Sequence, residues 1–277
     1  MHLKSLLYIG GILLLFSCKK DGALWQVQNL NPDNKTLAFG HGGMGTKYRF
    51  PMNSMESLNK VLAIHADGTE MDLQLSKDNE MVLFHNNNLQ DACRAEGMVR
   101  NKNWEEIKNT NYKWPLLESS KLIRMSDFFD QVKITPNHIF TFDCKVEAQE
   151  DQDYLRNFAD KLYALILQYN LVDQCFIESY NIDFLKNLEA KNPKLKLFVH
   201  CNTLTDGLSV SQQVHLYGLT MDRLKISQEE IALAHQNNLH ITLYNMVNAN
   251  ENIKAIQMNA DFLQSDKMEH LIEVLKN

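Results

Sequence analysis

The sequence predicts a (β/α)₈ barrel, and three observations favour this fold. Short apolar runs alternate with segments of helical period, which is typical of parallel βαβ units. There are nine runs, but only residues 76–80 separate the second from the third, too few for the crossover that a parallel neighbour needs. The third run should therefore return as a hairpin arm, leaving eight barrel strands. The length beyond residue 34 suits such a barrel, which has about 250 residues.

The predicted strands follow one another along the whole chain after residue 34. They are residues 36–39, 70–75, 81–85, 139–144, 175–179, 196–201, 217–221, 240–244 and 261–264. Helical period is clear at residues 55–64, 153–169, 182–191, 228–237 and 250–258. An open doubly wound sheet is the alternative, but no nucleotide-binding glycine fingerprint opens a helix. Because no repeat or linker interrupts this pattern, we expect one domain over residues 35–277.

The first 34 residues are expected to lie outside the barrel. The apolar run "LLYIGGILLLF" has the length of a signal-peptide core and is shorter than a membrane span. The Leu-Phe-Ser-Cys that ends at Cys18 resembles a bacterial lipobox, although Phe16 is bulkier than usual. Residues 1–17 are thus predicted to be a lipoprotein signal peptide, and residues 18–34 a tether. Lipidated Cys18 would hold the protein to a membrane of the bacterial cell envelope; ordinary secretion with cleavage nearby is the alternative.

The charge of the chain argues against a nucleic-acid partner, and its cysteine spacing argues against a zinc site or a disulfide scaffold. The net charge is −6, the isoelectric point is near 5.9, and the 28 Lys and Arg residues are scattered. Such a chain has no basic footprint for nucleic acid. The four cysteines after Cys18 fit neither a zinc site nor a disulfide scaffold: they are Cys93, Cys144, Cys175 and Cys201.

Two histidines are expected at the mouth of the barrel. His41 stands among four glycines in "GHGGMG", directly after the first strand. His85 ends the returning arm of the hairpin in "MVLFHNNN". Reactive groups in this fold gather at the carboxyl ends of the strands. A histidine in such a place is able to transfer protons near neutral pH.

Three carboxylates and a lysine are expected beside them. Glu70 and Asp72 are two residues apart on one strand, so both carboxylates point to the same side. Asp143 lies on the following barrel strand, with Lys145 on the same face. Carboxylates that converge in this way repel one another unless a cation lies between them, and all-oxygen ligands suit Ca²⁺ or Mg²⁺. Together with the histidines, this set predicts a metal-assisted phosphoryl-transfer site.

These motifs resemble those of the glycerophosphodiester phosphodiesterase family. The chain has His-Gly-Gly at 41–43, "EMDLQLSKD" at 70–78, Phe-His at 84–85 and Asp-Cys-Lys at 143–145. Weaker likeness continues through "FIESYN" to "ADFLQSD", so it spans residues 37–267.

The resemblance implies hydrolysis of a glycerophosphodiester to an alcohol and sn-glycerol 3-phosphate. His41 and His85 would be the acid–base pair, Lys145 would bind the phosphate, and Glu70, Asp72 and Asp143 would hold one divalent cation. Two alternatives remain open. The enzyme would act on another phospholipid-type diester, or the protein would be an envelope lipoprotein that binds phosphorylated headgroups without cleaving them.

The chain departs from the family pattern at the phosphate. Gly42 stands where the family most often has an arginine that contacts phosphate, Met52 replaces a common glutamate, and Asp143 is shorter than the usual glutamate. We expect another cation to substitute for the arginine, and the candidates are Lys145, Lys47 and Arg49.

Overall fold

The structure is a computed structural model that describes residues 28–113, 120–147 and 149–276. Its strands are β1 (Leu37–Gly40), β2 (Gly68–Leu75), β3 (Met81–Leu83), β4 (Ile139–Cys144), β5 (Cys175–Ser179), β6 (Lys196–His200), β7 (Gly218–Asp222), β8 (His240–Met246) and β9 (Phe262–Ser265). All except β3 pair in parallel with the next barrel strand. β1 pairs with both β2 and β9, so the eight parallel strands form a closed barrel. This confirms the predicted fold class.

The strand outside the barrel, β3, is the hairpin arm that the short connection predicts. Among the described strands, β3 pairs with β2 alone and runs antiparallel to it, with Leu73 opposite Leu83. Val82 of β3 also forms an isolated bridge with Arg124. β3 lies outside the closed barrel. The arm is shorter than predicted: β3 ends at Leu83, and His85 lies in the loop beyond it.

The helices are α1 (Met55–Ala63), α2 (Trp104–Ile107), α3 (Met125–Phe129), α4 (Gln152–Gln168), α5 (Ile182–Lys191), α6 (Leu204–Ser211), α7 (Gln228–Gln236), α8 (Ala249–Gln257) and α9 (Met268–Leu275). The five predicted helices are confirmed as α1, α4, α5, α7 and α8, with ends within one residue of prediction. The other four described helices, α2, α3, α6 and α9, were not predicted from the sequence. In α6, Gly207 and two serines lower helix propensity, but the Thr203 hydroxyl caps the helix by accepting a hydrogen bond from the Asp206 N–H.

Four phenylalanines fill the interior of the barrel and position the polar residues of the site. Phe39, Phe176, Phe198 and Phe262 are buried together, and the ring centroids of Phe176 and Phe262 are 4.8 Å apart. Side chains on a strand return to the same face after two residues. The interior position after each phenylalanine therefore holds a polar residue: His41, Glu178, His200 and Gln264.

The segment between β3 and β4 forms a second, smaller core against the barrel. Phe84, Leu89, Trp104 and Tyr112 are buried within it. This core holds the residues after β3 beside the mouth of the barrel.

The predicted signal peptide and the lipidation site at Cys18 lie outside the described residues. The described end of the predicted tether contacts the barrel. The Leu30 N–H donates to Asp261 Oδ1 at 2.6 Å, and the Asn29 amide donates to Asn259 Oδ1 at 3.1 Å. Within the described ranges, no helix has the length and apolar character needed to cross a membrane. Cys93, Cys144, Cys175 and Cys201 are buried and unpaired.

Candidate active site

His41 is held by a carboxylate from the far end of the chain. Its Nδ1 lies 2.8 Å from Oδ1 of Asp266, which directly follows β9. Asp266 also accepts a hydrogen bond from the Thr46 hydroxyl. Because the carboxylate accepts at Nδ1, neutral His41 has its lone pair on Nε2. Burial lowers the pKa of His41, but the hydrogen bond and charge of Asp266 outweigh it, so the pKa lies above its ordinary value.

The glycines around His41 allow the backbone to pass close to its neighbours. Gly42 and Gly45 have φ of +54° and +93°, in the left-handed region that favours glycine. A Cβ at Gly45 would lie 2.3 Å from the Cα of Asp266. The Gly42 N–H donates to Glu70 Oε2 at 2.7 Å. The motif therefore ties the His41 loop both to the last strand and to the acidic residues on β2.

The three predicted acids converge inside the barrel. Asp72 on β2 lies opposite Asp143 on β4, and Glu70 lies two residues earlier on the same face. One carboxylate oxygen from each lies within 4.8 Å of the others, and all three side chains are buried. Burial and the charges of Asp72 and Asp143 raise the pKa of Glu70 well above its ordinary value. Glu70 Oε1 is buried and accepts no hydrogen bond within the described residues.

This arrangement fits a divalent cation. Its donors are carboxylate oxygens, which Ca²⁺ and Mg²⁺ prefer. Buried carboxylates this close repel one another unless positive charge lies between them. Glu70 Oε1, which has no hydrogen-bond partner among the described residues, is available as a ligand.

Lys145 provides positive charge beside these acids. Its ammonium lies 2.7 Å from Asp72 Oδ1 and also contacts Asp143. Burial lowers the pKa of Lys145, but the surrounding carboxylates raise it well above its ordinary value, so the lysine stays charged. Asn53 fixes Asp72 from the other side: its amide donates to Asp72 Oδ2 at 2.6 Å and accepts from the Asp72 N–H at 3.0 Å.

His85 reaches the same mouth from the hairpin arm. The Phe84 N–H donates to the Asp72 carbonyl at 3.0 Å and anchors the chain next to β2. The imidazole of His85 is exposed. His41 and His85 both line two adjoining cavities of about 330 and 300 Å³.

These cavities differ in character. The first, the polar cavity, also contains Glu70, Asp143, Lys145 and Asp266. The second, the apolar cavity, has walls that come from the residues before α1 and from the β3–β4 segment: Pro51, Met52, Phe84, Ala92 and Tyr112. The site is thus one polar and one apolar compartment that share the two histidines and Thr46.

The structure adds residues that the sequence-based site did not include. His200 Nε2 lies 3.4 Å from Asp143 Oδ1 and 3.6 Å from Glu178 Oε2. Glu178 in turn accepts hydrogen bonds from Thr220 and Gln264. The sequence signal for Asp266 and Glu178 was present, since "ADFLQSD" and "FIESYN" carry them at strand ends.

Two of the three cations proposed to replace the missing arginine lie elsewhere. Lys47 lines a separate cavity against Met268 and Glu269 of α9. The Arg49 guanidinium lies 5.4 Å from the centroid of the Phe50 ring, and Arg49 lines neither compartment of the site. The loop passes near the barrel mouth, as expected, since Thr46 lines both cavities, but neither Lys47 nor Arg49 lines them. Lys145 lines the polar cavity.

Comparison with protein families decides what kind of site this is. Residues 41–270 match the model of the glycerophosphoryl diester phosphodiesterase family. The chain belongs to this family. The match spans the barrel from His41 to α9, and family membership confirms the prediction of a phosphoric diester hydrolase.

Relatives in this family align with most of this chain and with almost all of their own length. A glycerophosphodiester phosphodiesterase from Caldanaerobacter subterraneus subsp. tengcongensis is 22% identical over 87% of this chain and 98% of its own length. A glycerophosphodiester phosphodiesterase from Parabacteroides distasonis has the same fold, with a TM-score of 0.75, 18% identity and coverage of 87% and 97%. An Oleispira antarctica phosphodiesterase, solved with the product sn-glycerol-3-phosphate, has a TM-score of 0.75, 13% identity and coverage of 88% and 98%.

Proposed function

We propose that this enzyme hydrolyses a glycerophosphodiester to an alcohol and sn-glycerol 3-phosphate, with His41 and His85 as the acid–base pair. The observation that carries the proposal is that both histidines line the same cavity as Glu70, Asp143 and Lys145. The Oleispira antarctica structure supports the product, since it contains sn-glycerol-3-phosphate in the same fold.

His41 is suited to be the base. Asp266 accepts the Nδ1 proton in a hydrogen bond, so Nε2 is free to take the proton of the attacking hydroxyl. That hydroxyl comes from water or from the substrate itself; in the second case a cyclic phosphodiester forms, and a water molecule must open it to give sn-glycerol 3-phosphate. As the attacking oxygen forms a bond to phosphorus, the bond to the leaving alkoxide breaks. His85, which is not buried, would protonate the alkoxide as it departs.

The remaining groups stabilise charge on the phosphate. Lys145 is charged, partly exposed and lines the polar cavity, so its ammonium is available to a phosphate oxygen. When bound, a divalent cation held by Glu70, Asp72 and Asp143 would neutralise negative charge on the phosphate. His200 and Asn53 keep the acids in position through their contacts with Asp143 and Asp72.

We also propose that the enzyme works at the cell envelope, anchored through lipidated Cys18. The lipobox-like sequence supports this localisation. Its substrate would then be a diester released from, or present in, a membrane.

The experiment is a panel of glycerophosphodiesters incubated with the purified enzyme and Ca²⁺ or Mg²⁺. Release of sn-glycerol 3-phosphate is followed with a coupled glycerol-phosphate dehydrogenase. We expect turnover that chelator abolishes and added cation restores. Binding of these diesters without any release of product would instead support the non-catalytic alternative.

A further inference from the structure

The apolar cavity is an unexplained part of the site. It encloses about 300 Å³, and five of its twelve described lining residues are apolar or aromatic: Pro51, Met52, Phe84, Ala92 and Tyr112. Besides the residues shared with the polar cavity, the described polar lining consists of Asn53, Asn86, Asp91 and Lys113. Phe84 and Tyr112 are 1% and 7% exposed and belong to the core of the β3–β4 segment, so these walls are fixed by packing. Hydrolysis of a small, polar glycerophosphodiester requires no such compartment.

The cavity opens directly onto the reacting centre. His41, Thr46 and His85 line it and also line the polar cavity. A phosphodiester carries two organic groups, one on each ester oxygen, and these are called its arms. If the phosphate binds beside Lys145, an arm that extends past the histidines would enter the apolar cavity.

Met52 contributes apolar surface to this compartment beside Gly42. A Cβ at Gly42 would lie 2.6 Å from the Met52 terminal methyl and 2.8 Å from its Cβ, so the methionine occupies the space beside Gly42. An arginine at 42 and a glutamate at 52 would place charges at these two neighbouring positions. Here both are uncharged. Asp91 and Lys113 are the charged residues on the rest of the described lining, and the Lys113 ammonium is bound to the Gln90 carbonyl at 2.5 Å.

We propose that the apolar cavity binds the acyl or alkyl chain of a lipid-type phosphodiester, so that the preferred substrate is a monoacylated or alkylated glycerophosphodiester. This inference rests on the proposed function. Ligand pockets with apolar walls and a few polar groups at one end select amphipathic molecules. Transfer of each methylene from water into such a wall is favourable, so affinity should increase with chain length until the cavity is full.

The experiment uses two series of substrates below their critical micelle concentrations. In the first, 1-acyl-sn-glycero-3-phosphocholines carry butanoyl, hexanoyl or octanoyl chains on the glycerol arm, with unacylated glycerophosphocholine as reference. In the second, glycerophospho-n-alkanols carry chains of the same length on the other arm. Both kcat/KM and, by calorimetry, Kd are measured. We expect kcat/KM to increase about tenfold or more with chain length in one series.

Variants of the cavity wall separate chain binding from a general effect on activity. Met52→Glu places a charge in the wall and should remove most of the dependence on chain length. Met52→Leu is the matched control: it keeps volume and apolar character, so the dependence should remain. Ala92→Phe fills the cavity from the opposite segment and should remove the dependence even if Met52→Glu does not fold.

The outcomes distinguish this inference from the proposed function. Hydrolysis of the reference diester with kcat/KM and Kd independent of chain length in both series would overturn the inference and leave the proposed function intact. Affinity that increases with chain length, without hydrolysis of any diester, would support the cavity assignment and refute the proposed function. A dependence on chain length that Met52→Glu and Ala92→Phe both leave unchanged would also overturn the inference.

Discussion

Asp266 is the residue whose replacement tests the mechanism of His41 most specifically. Its side chain is 4% exposed, and its Oδ1 is 2.8 Å from His41 Nδ1. In Asp266→Asn, the amide nearly preserves shape but removes the charge, and its NH₂ group is able to donate to Nδ1. His41 then loses the preference for the tautomer with a free Nε2.

The expected loss follows from this contact. A hydrogen bond to a charged group contributes about 1.5–3 kcal/mol, and each 1.36 kcal/mol of barrier corresponds to about a tenfold change in rate. Asp266→Asn should therefore lower kcat/KM by about 10- to 150-fold. The loss should appear mainly in kcat, since Asp266 acts through His41.

The pH profile gives a second readout. Asp266 holds the pKa of His41 above its ordinary value against the lowering effect of burial. Without this carboxylate, burial dominates and the pKa falls. If His41 is the base, the acidic limb of the kcat/KM profile moves to lower pH in the variant.

The chain contains a matched control. His235 and Asp261 form another buried histidine–carboxylate pair, also at 2.8 Å, where Asp261 precedes β9. His235→Gln disrupts this pair at the opposite end of the strand and should leave the pH profile as it is. An Asp266→Asn enzyme with the same kcat/KM and the same acidic limb as the parent would show that Asp266 does not set the tautomer and pKa of His41.

Three further predictions concern the cation, the glycine loop and the anchor. Glu70→Gln should weaken binding of Ca²⁺ or Mg²⁺, measured by calorimetry, by more than the ~10–100-fold typical of altered outer-shell partners; unchanged affinity would exclude Glu70 as a ligand. Gly42→Ala should lower the free energy of unfolding in urea by about 1–2 kcal/mol, because φ is +54° and Met52 fills the space beside it; equal stability would contradict this. Cys18→Ser should move the protein from the membrane fraction to the soluble fraction with unchanged specific activity, and the lipoprotein assignment fails if fractionation stays the same.

The barrel was predictable because runs of strand length alternate with segments of helical period along the chain. The hairpin arm was predictable from the length of one connection. α6 was harder to recognise, because a glycine and two serines weaken its pattern and its stability comes from a cap and from packing of Leu204 and Val210.

The candidate site was predictable where its residues are close in sequence or lie on neighbouring strands. Glu70 and Asp72 lie two apart on one strand, and the topology brings Asp143 opposite Asp72. Contacts between distant segments were not predictable. Asp266 is 225 residues from His41. The contact between Gly42 and Met52 depends on a turn in which the Asn53 N–H donates to the Gly42 carbonyl at 3.0 Å.

His41 and His85 are proposed to transfer the protons in phosphodiester hydrolysis. The most direct measurement is steady-state kinetics of His41→Ala and His85→Ala on the best glycerophosphodiester found, with saturating divalent cation. Each variant should lose about 10²–10⁴-fold in kcat, the range of general acid–base catalysis, while KM stays close to that of the parent. Full turnover by either variant would contradict the assignment of that histidine, and full turnover by both would contradict the proposed mechanism.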